Sequence, residues 1–230
     1  MDLDAKVDEL SKGIEAWKVK TSLDVLDRAF RRFAKVGVAW STGKDSTVNL
    51  FLTRQFDPDL PVLFGDTTVH FKETYAHRDR IAAAWGLNLV NMTPDVAYAA
   101  VQGARERCCH QLKTQPALRA FEALGLDAVV VGVRWDEHPA RAQERYIAER
   151  ADAGGYPHAR VHPILHWTEA DIWGFTRAHG LPHNPLYDRG FRSVGCAPCT
   201  SPAPPDAPER SGRAQDKEEI MGRLRALGYW

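Results

Sequence analysis

No apolar run in the sequence approaches the roughly 20 residues that a bilayer-spanning helix needs. Neither charge is in excess: 30 Lys and Arg balance 30 Asp and Glu. That argues against nucleic-acid binding through bulk charge, though it leaves a local basic patch open. The opening, Met1–Lys12, is polar and acidic, unlike a secretory leader, so a cytoplasmic protein is expected. There is no internal repeat, and the one biased tract is the proline-rich Ser201–Pro208. Cysteine is scarce: Cys108, Cys109, Cys196 and Cys199 are the whole set, and none follows Cys199. In a reducing compartment four thiols do not build a disulfide framework, and adjacent cysteines pair poorly. Metal binding or redox chemistry is the better reading.

What is present reads as alternating strands and helices. Leu3–Phe33 carries apolar residues at helical spacing, enough for one or two helices. Short apolar runs at Val36–Trp40, Pro61–Phe64, Leu87–Met92 and Ala128–Val133 predict buried parallel strands, with a further extended piece at Val161–Leu165. Between them, Thr47–Gln55, Phe71–Trp85, Lys113–Leu124 and Thr168–His179 predict helices; Gly125 suits a C-cap, and Thr168 with Asp171 a capping box. Gln215–Leu227 predicts a last helix. The expected fold is α/β, a doubly wound and mostly parallel sheet. Its expected divisions are N-terminal helices (1–34), a central α/β domain (35–200) and a C-terminal loop and helix (201–230).

The sharpest local signal is Ser41-Thr42-Gly43-Lys44-Asp45-Ser46, between a strand and a helix. Gly43 permits close backbone approach. Helix-start N–H groups, two serine hydroxyls and Lys44 together suit an anion. The loop is shorter than a Walker motif, and the bland alternative is a polar turn at a helix start. Gly132-Val133-Arg134 ends the fourth strand, where α/β sheets bind ligands. Arg141 and Arg145, four apart, fit either an anion groove or a solvated face balanced by Asp136, Glu137, Glu144 and Glu149. Cys108-Cys109 and Cys196-x-x-Cys199 suit zinc or an iron–sulfur cluster, and spacing alone leaves both open. The scattered histidines are assigned to no metal.

The Ser-x-Gly-Lys-Asp-Ser loop resembles that of the PP-loop (N-type) ATP pyrophosphatase superfamily. The resemblance implies an adenine nucleotide α-hydrolase-like fold and reaction at the α-phosphate of ATP or an adenylyl nucleotide. It also implies contacts from the loop, from Asp66 and Thr67 after the second strand, and from Gly132 and Arg134. Lys44, Asp45 and Arg134 are the expected catalytic groups. Cys108-Cys109-His110-Gln111-Leu112-Lys113, Asn184-Pro185-Leu186-Tyr187-Asp188 and Gly195-Cys196-Ala197-Pro198-Cys199-Thr200 resemble segments of adenylyl-sulfate and phosphoadenylyl-sulfate reductases. This second likeness implies a [4Fe–4S] cluster on the four cysteines, with Lys113 a charge beside cluster and substrate.

That family also carries a cysteine in a Glu-Cys-Gly-Leu-His tail, which is absent from these 230 residues. Glu209-Arg210-Ser211-Gly212-Arg213 instead resembles the small subunit of heterodimeric ATP sulfurylase. The ATP pyrophosphatases of DNA phosphorothioation join a PP-loop to such cysteines without the tail. The leading expectation is therefore cleavage of ATP that activates an acceptor for sulfur transfer. The alternatives are adenylyl-sulfate or phosphoadenylyl-sulfate reduction with a thiol supplied in trans, and a nucleotide-binding ATP sulfurylase subunit. Mg²⁺ with the nucleotide, a sulfur-donor or thiol protein, DNA through a partner complex and a homo-oligomer complete the expected cofactors and partners.

Overall fold

The computed structural model describes residues 2–150 and 155–229. Helices α1 (Leu3–Leu10) and α2 (Ala16–Arg32) lead into β1 (Val36–Ala39), whose four residues are all buried. Then follow α3 (Lys44–Thr53), β2 (Val62–Gly65), α4 (Lys72–Trp85), β3 (Leu89–Met92), α5 (Arg105–Cys109), α6 (Gln115–Leu124) and β4 (Ala128–Val131). β5 (Ile147–Arg150), β6 (His158–Val161), α7 (Glu169–Ala178), α8 (Gln215–Glu219) and α9 (Met221–Ala226) complete the chain. The sheet order is β3-β2-β1-β4-β6-β5, parallel except for the β5–β6 pair. Short strands with no polar face need cover on both sides, and the crossover helices provide it.

The chain winds outward from β1 to β3, then returns to place β4 on the other flank of β1. Connections therefore diverge between β1 and β4, and a crevice opens at their carboxyl ends. α2 lays Val19, Leu23, Leu26 and Ala29 on the sheet at helical spacing. Trp167 donates its indole N–H to Ser22 at 2.9 Å, and Lys18 pairs with Asp171 of the α7 capping box at 2.6 Å. These contacts fix α7 against α2.

Four expectations shift. α3 begins at Lys44 rather than Thr47, so half of the polar turn is already helical. The extended segment near 161 is His158–Val161, and it pairs with an antiparallel edge strand, β5, that carries no apolar run. The tandem cysteines end a short helix, α5, which passes through a π-helical turn (His110–Thr114) into α6. The last helix breaks at Ile220 into α8 and α9.

Two glycines let α7 touch the α1–α2 turn. Gly13 has φ of +82°, and a Cβ on Gly174 would lie 2.5 Å from the Gly13 carbonyl oxygen. Backbone on both sides cannot yield cheaply. Gly174→Ala is expected to lower unfolding free energy by about 2 kcal/mol, read as a reduced urea midpoint. A second stability effect is pH-dependent. His162 is buried, its Nδ1–H donating to the Arg145 carbonyl at 2.8 Å, and burial holds its pKa down to about 4. Between pH 6.5 and 4 the unfolded chain takes up a proton that the folded chain refuses. Stability therefore falls on acidification through that window, by up to about 3 kcal/mol from this residue. His162→Gln should flatten the profile in pH-dependent denaturant titrations.

Candidate active site

The crevice is a cleft of about 1150 Å³, its open mouth included. Ala39, Leu63, Met92, Val131 and Val133, from the ends of four strands, give it an apolar wall. The phosphate loop forms one end. Thr42 takes φ of +64° to turn the strand into the helix, and its hydroxyl accepts from Asn184 Nδ2 at 3.2 Å. Ser46 braces the loop by accepting from the Ser41 N–H at 3.2 Å and donating to the Gly43 carbonyl at 2.9 Å. The Lys44 N–H donates to the Tyr187 hydroxyl at 3.0 Å. Gly132 is required by packing. A Cβ there would stand 2.9 Å from Asn49 Cβ and 3.0 Å from the Asp45 carbonyl oxygen, so β4 presses on the first turn of α3.

The cationic side chains at this end are buried and compensated. Lys44 Nζ pairs with Asp45 at 2.9 Å and with Glu209. Arg134 pairs with Asp45, Asp136 and Glu209. Burial opposes the charge on both, but the carboxylates dominate and raise both pKa values. Asp45 is buried too, yet Lys44 and Arg134 pull its carboxyl well below the usual range. Farther along, Glu137 pairs with Arg141 and, at 2.8 Å, with Arg210, which also holds Glu218 at 2.6 Å.

Two further cations on the cleft are different. Lys113 and Arg213 line it, and among the described residues neither has a carboxylate partner. Arg213 Nε and Nη1 are buried without hydrogen-bond partners. Its guanidinium lies against Gly195, where any Cβ would displace it.

Lys113 and Arg213 also line a second, smaller pocket with Cys108, Cys109, Cys196, Cys199 and Lys217. All four thiols are free and buried. Burial pushes the Cys108 thiol up to about 11, whereas at Cys196 the Lys113 ammonium and the Thr67 hydroxyl, 3.2 Å away, overcome burial and lower it. Arg105 donates to Cys199 Sγ at 2.8 Å. Lys217 donates to the Tyr229 hydroxyl at 2.7 Å. Burial would raise the Tyr229 pKa, but Lys113 and Lys217 hold it down to about 7. No group of three His, Cys, Asp or Glu side chains among the described residues could hold a single metal ion. The four cysteines thus share one pocket without displaying a metal-ligand set.

The structure brings together Ser41, Gly43, Lys44, Asp45, Ser46, Lys113 and Gly132 on the cleft, with Arg134 directly behind. Thr42, Asp66 and Thr67 stand off its lining. Asp66 accepts from the Tyr75 hydroxyl at 2.7 Å, and Thr67 faces Cys196. Arg145 lies apart, beside Arg28 and Arg32. Glu209, Arg210, Arg213 and Tyr229 were unassigned in the sequence but reach the cleft. The one signal for the first three is the charged Glu-Arg-Ser-Gly-Arg run that follows the proline-rich tract.

Residues 35–202 match the model of the phosphoadenosine phosphosulfate reductase domain. The chain is 34% identical over 205 residues to adenosine 5′-phosphosulfate reductase 1 of Bacillus subtilis (strain 168), covering 84% of this chain and 86% of that one. It is 32% identical over 223 residues to the adenosine 5′-phosphosulfate reductase of Halalkalibacterium halodurans, covering 92% and 93%. Among solved structures, a phosphoadenylyl-sulfate reductase of Candida auris, in a phosphate complex, superposes with a TM-score of 0.65 at 23% identity, covering 78% of this chain and 90% of that one. The FMN adenylyltransferase of Candida glabrata, with FAD and inorganic pyrophosphate, superposes with a TM-score of 0.66 at 20% identity, covering 93% and 83%. The two structures show a shared adenine nucleotide α-hydrolase-like fold. The reductase relatives favour the reductase alternative over the ATP-cleaving expectation. On the extent of the domain match and the curated identities, the chain belongs to the phosphoadenosine phosphosulfate reductase family.

Proposed function

We propose that this chain is a sulfonucleotide reductase that converts an adenylyl sulfate to AMP and sulfite. One observation carries the reading: Lys113 and Arg213, cations without carboxylate partners among the described residues, line both the cleft and the four-cysteine pocket. The apolar wall receives the adenine, the loop N–H groups receive the α-phosphate, and the sulfate turns toward Lys113 and Arg213. No cysteine lines the cleft. The attacking thiol therefore comes from a donor other than these four cysteines.

The donor thiolate attacks the sulfate sulfur. The bond from that sulfur to the bridging oxygen breaks, and its electron pair leaves on the phosphate of AMP. Lys113 and Arg213 hold the sulfonate oxygens in a fixed, water-poor field as charge moves. A second thiol then attacks the donor sulfur of the S-sulfonate, releasing sulfite and a disulfide, so two thiols supply the two electrons.

The lining of the four-cysteine pocket supports an iron–sulfur cluster as the group it would hold. Its walls carry Lys113, Lys217 and Arg213 with no carboxylate among its lining residues, an environment that favours an anionic group ligated by thiolates. Cys108, Cys109, Cys196 and Cys199 would hold it, and it would supply a fixed negative charge and polarisability beside the sulfate. The test is anaerobic turnover of adenylyl sulfate and its 3′-phosphate with dithiothreitol or thioredoxin. AMP and sulfite in equal amounts are expected from adenylyl sulfate. Pyrophosphate from ATP, with no sulfite from either sulfonucleotide, overturns the proposal and restores the ATP-cleaving reading.

A further inference from the structure

The cleft carries a charge asymmetry that the proposed reaction does not use. At the phosphate-loop end two cations, Lys44 and Arg134, face three close carboxylates, Asp45, Asp136 and Glu209, while Glu169, 4.0 Å from Lys44, is balanced by Arg192 at 2.6 Å. Asp45 belongs to the loop and Asp136 follows Arg134 by two residues, so both are local partners. Glu209 is distant in sequence and comes from the tract of residues 201–213 that includes the proline-rich stretch, yet its two oxygens reach the two cations separately, Oε1 to Lys44 and Oε2 to Arg134.

This placement is built, not a chance side-chain excursion. The tract closes on itself, with the Ser201 N–H donating to the Gly212 carbonyl at 2.8 Å and the Ala214 N–H to the Cys199 carbonyl at 3.1 Å. Arg192 ties its middle, donating to the Ala207 carbonyl at 2.6 Å while pairing with Glu169 at 2.6 Å. Glu209 is one-tenth exposed at its side chain, so its interaction with the cations is little screened by solvent.

We propose that Glu209 is an internal anion that limits the phosphate chain the cleft accepts. Its carboxylate bridges Lys44 and Arg134 as a polyphosphate oxygen pair would. A nucleoside triphosphate must expel it or meet a site with one excess negative charge. An adenylyl sulfate need do neither, because its second anion turns to Lys113 and Arg213. This rests on the nucleotide reading above and adds to it a residue that selects between sulfonucleotide and polyphosphate. Inorganic pyrophosphate, which needs no adenine pocket, probes Glu209 independently of that reading.

The experiment is calorimetric titration of anaerobically purified protein without Mg²⁺, using AMP, ATP and pyrophosphate on wild type and Glu209→Gln. Wild type should bind ATP no more tightly than AMP and pyrophosphate weakly. Glu209→Gln should gain about tenfold or more for ATP and for pyrophosphate, equivalent to about 1.4 kcal/mol, with AMP nearly unchanged. Glu209→Asp keeps the charge but is too short to bridge both cations. It should show a smaller gain, and it serves if the glutamine variant fails to fold. Equal weakening of all three ligands overturns the proposal, because Glu209 then only positions Lys44 and Arg134. An unchanged ratio of ATP to AMP affinity, or a wild type that prefers ATP, overturns it as well. If pyrophosphate responds as expected while no adenylyl nucleotide binds either protein, Glu209 keeps its role and the nucleotide reading falls.

Discussion

Replacing Lys113 with alanine is expected to lower kcat/KM for adenylyl sulfate by about 10²-fold or more while leaving AMP affinity within a few-fold of wild type. The split follows from position. Lys113 lines the cleft beside Cys196, Cys109 and Tyr229, with its ammonium 5.5 Å from the Tyr229 ring centre, and none of the phosphate-loop groups is among its main electrostatic neighbours. Burial opposes its charge, but the neighbouring anionic groups raise its pKa and keep it an ammonium. AMP lacks the sulfate that this charge is placed to meet, so its binding hardly registers the loss. The transition state moves charge between the sulfonate and the AMP phosphate in a low-dielectric site. Removal of one preorganised stabilising group there typically costs about 10² to 10³ in rate. Turnover normalised to iron content, set beside AMP calorimetry, separates the cases. Equal losses in AMP binding and turnover would assign Lys113 a general structural role, and an unchanged rate would remove it from the site.

The sequence disclosed the parts of this molecule whose determinants are local. Val36–Ala39 is an unbroken apolar tetrad followed by Gly43, Lys44 and Ser46, and a buried strand feeding an anion loop is the plainest physical reading of that order. The loop, Arg134 at the end of β4 and the sharing of one pocket by the four cysteines follow from it or from the family likeness. Determinants that are tertiary stayed hidden. Ile147–Arg150 pairs only because β6 offers an edge, and its mixed polarity gives no strand signal. Glu209, Arg210 and Arg213 lie in a tract with no period at all; its course is set by Arg192 and by closure of Ser201 on Gly212. Asp66, expected at the nucleotide from the family likeness, accepts from the Tyr75 hydroxyl and the Thr68 N–H, contacts of which the sequence carries no sign.

On the cluster reading proposed above, Cys196→Ala is expected to lose iron and to unfold the C-terminal helices before the sheet. Three basic side chains line the cysteine pocket: the buried Lys217 and Arg213 and the half-buried Lys113. Within the described residues their anionic neighbours are thiols and the Tyr229 hydroxyl, not carboxylates. Uncompensated charge at such depth is not sustained, so the thiolates must supply the negative charge. Four thiolates on the proposed [4Fe–4S]²⁺ core would leave roughly two negative charges, enough to offset most of the set. α8 brings Lys217 to this pocket, and Met221 and Leu224 of α9 pack with Tyr229 against Cys109. Loss of one ligand therefore exposes these helices to the repulsion of the three cations. Breaking a buried ionic group in this way costs about 3–5 kcal/mol, or roughly 10 °C in Tm for a chain of this size. Iron and sulfide content, absorbance in the visible region and hydrogen exchange across residues 215–229 read the effect directly. A variant with full iron content and unchanged protection of those helices would show that the cations are balanced some other way, and the cluster assignment would fail with it.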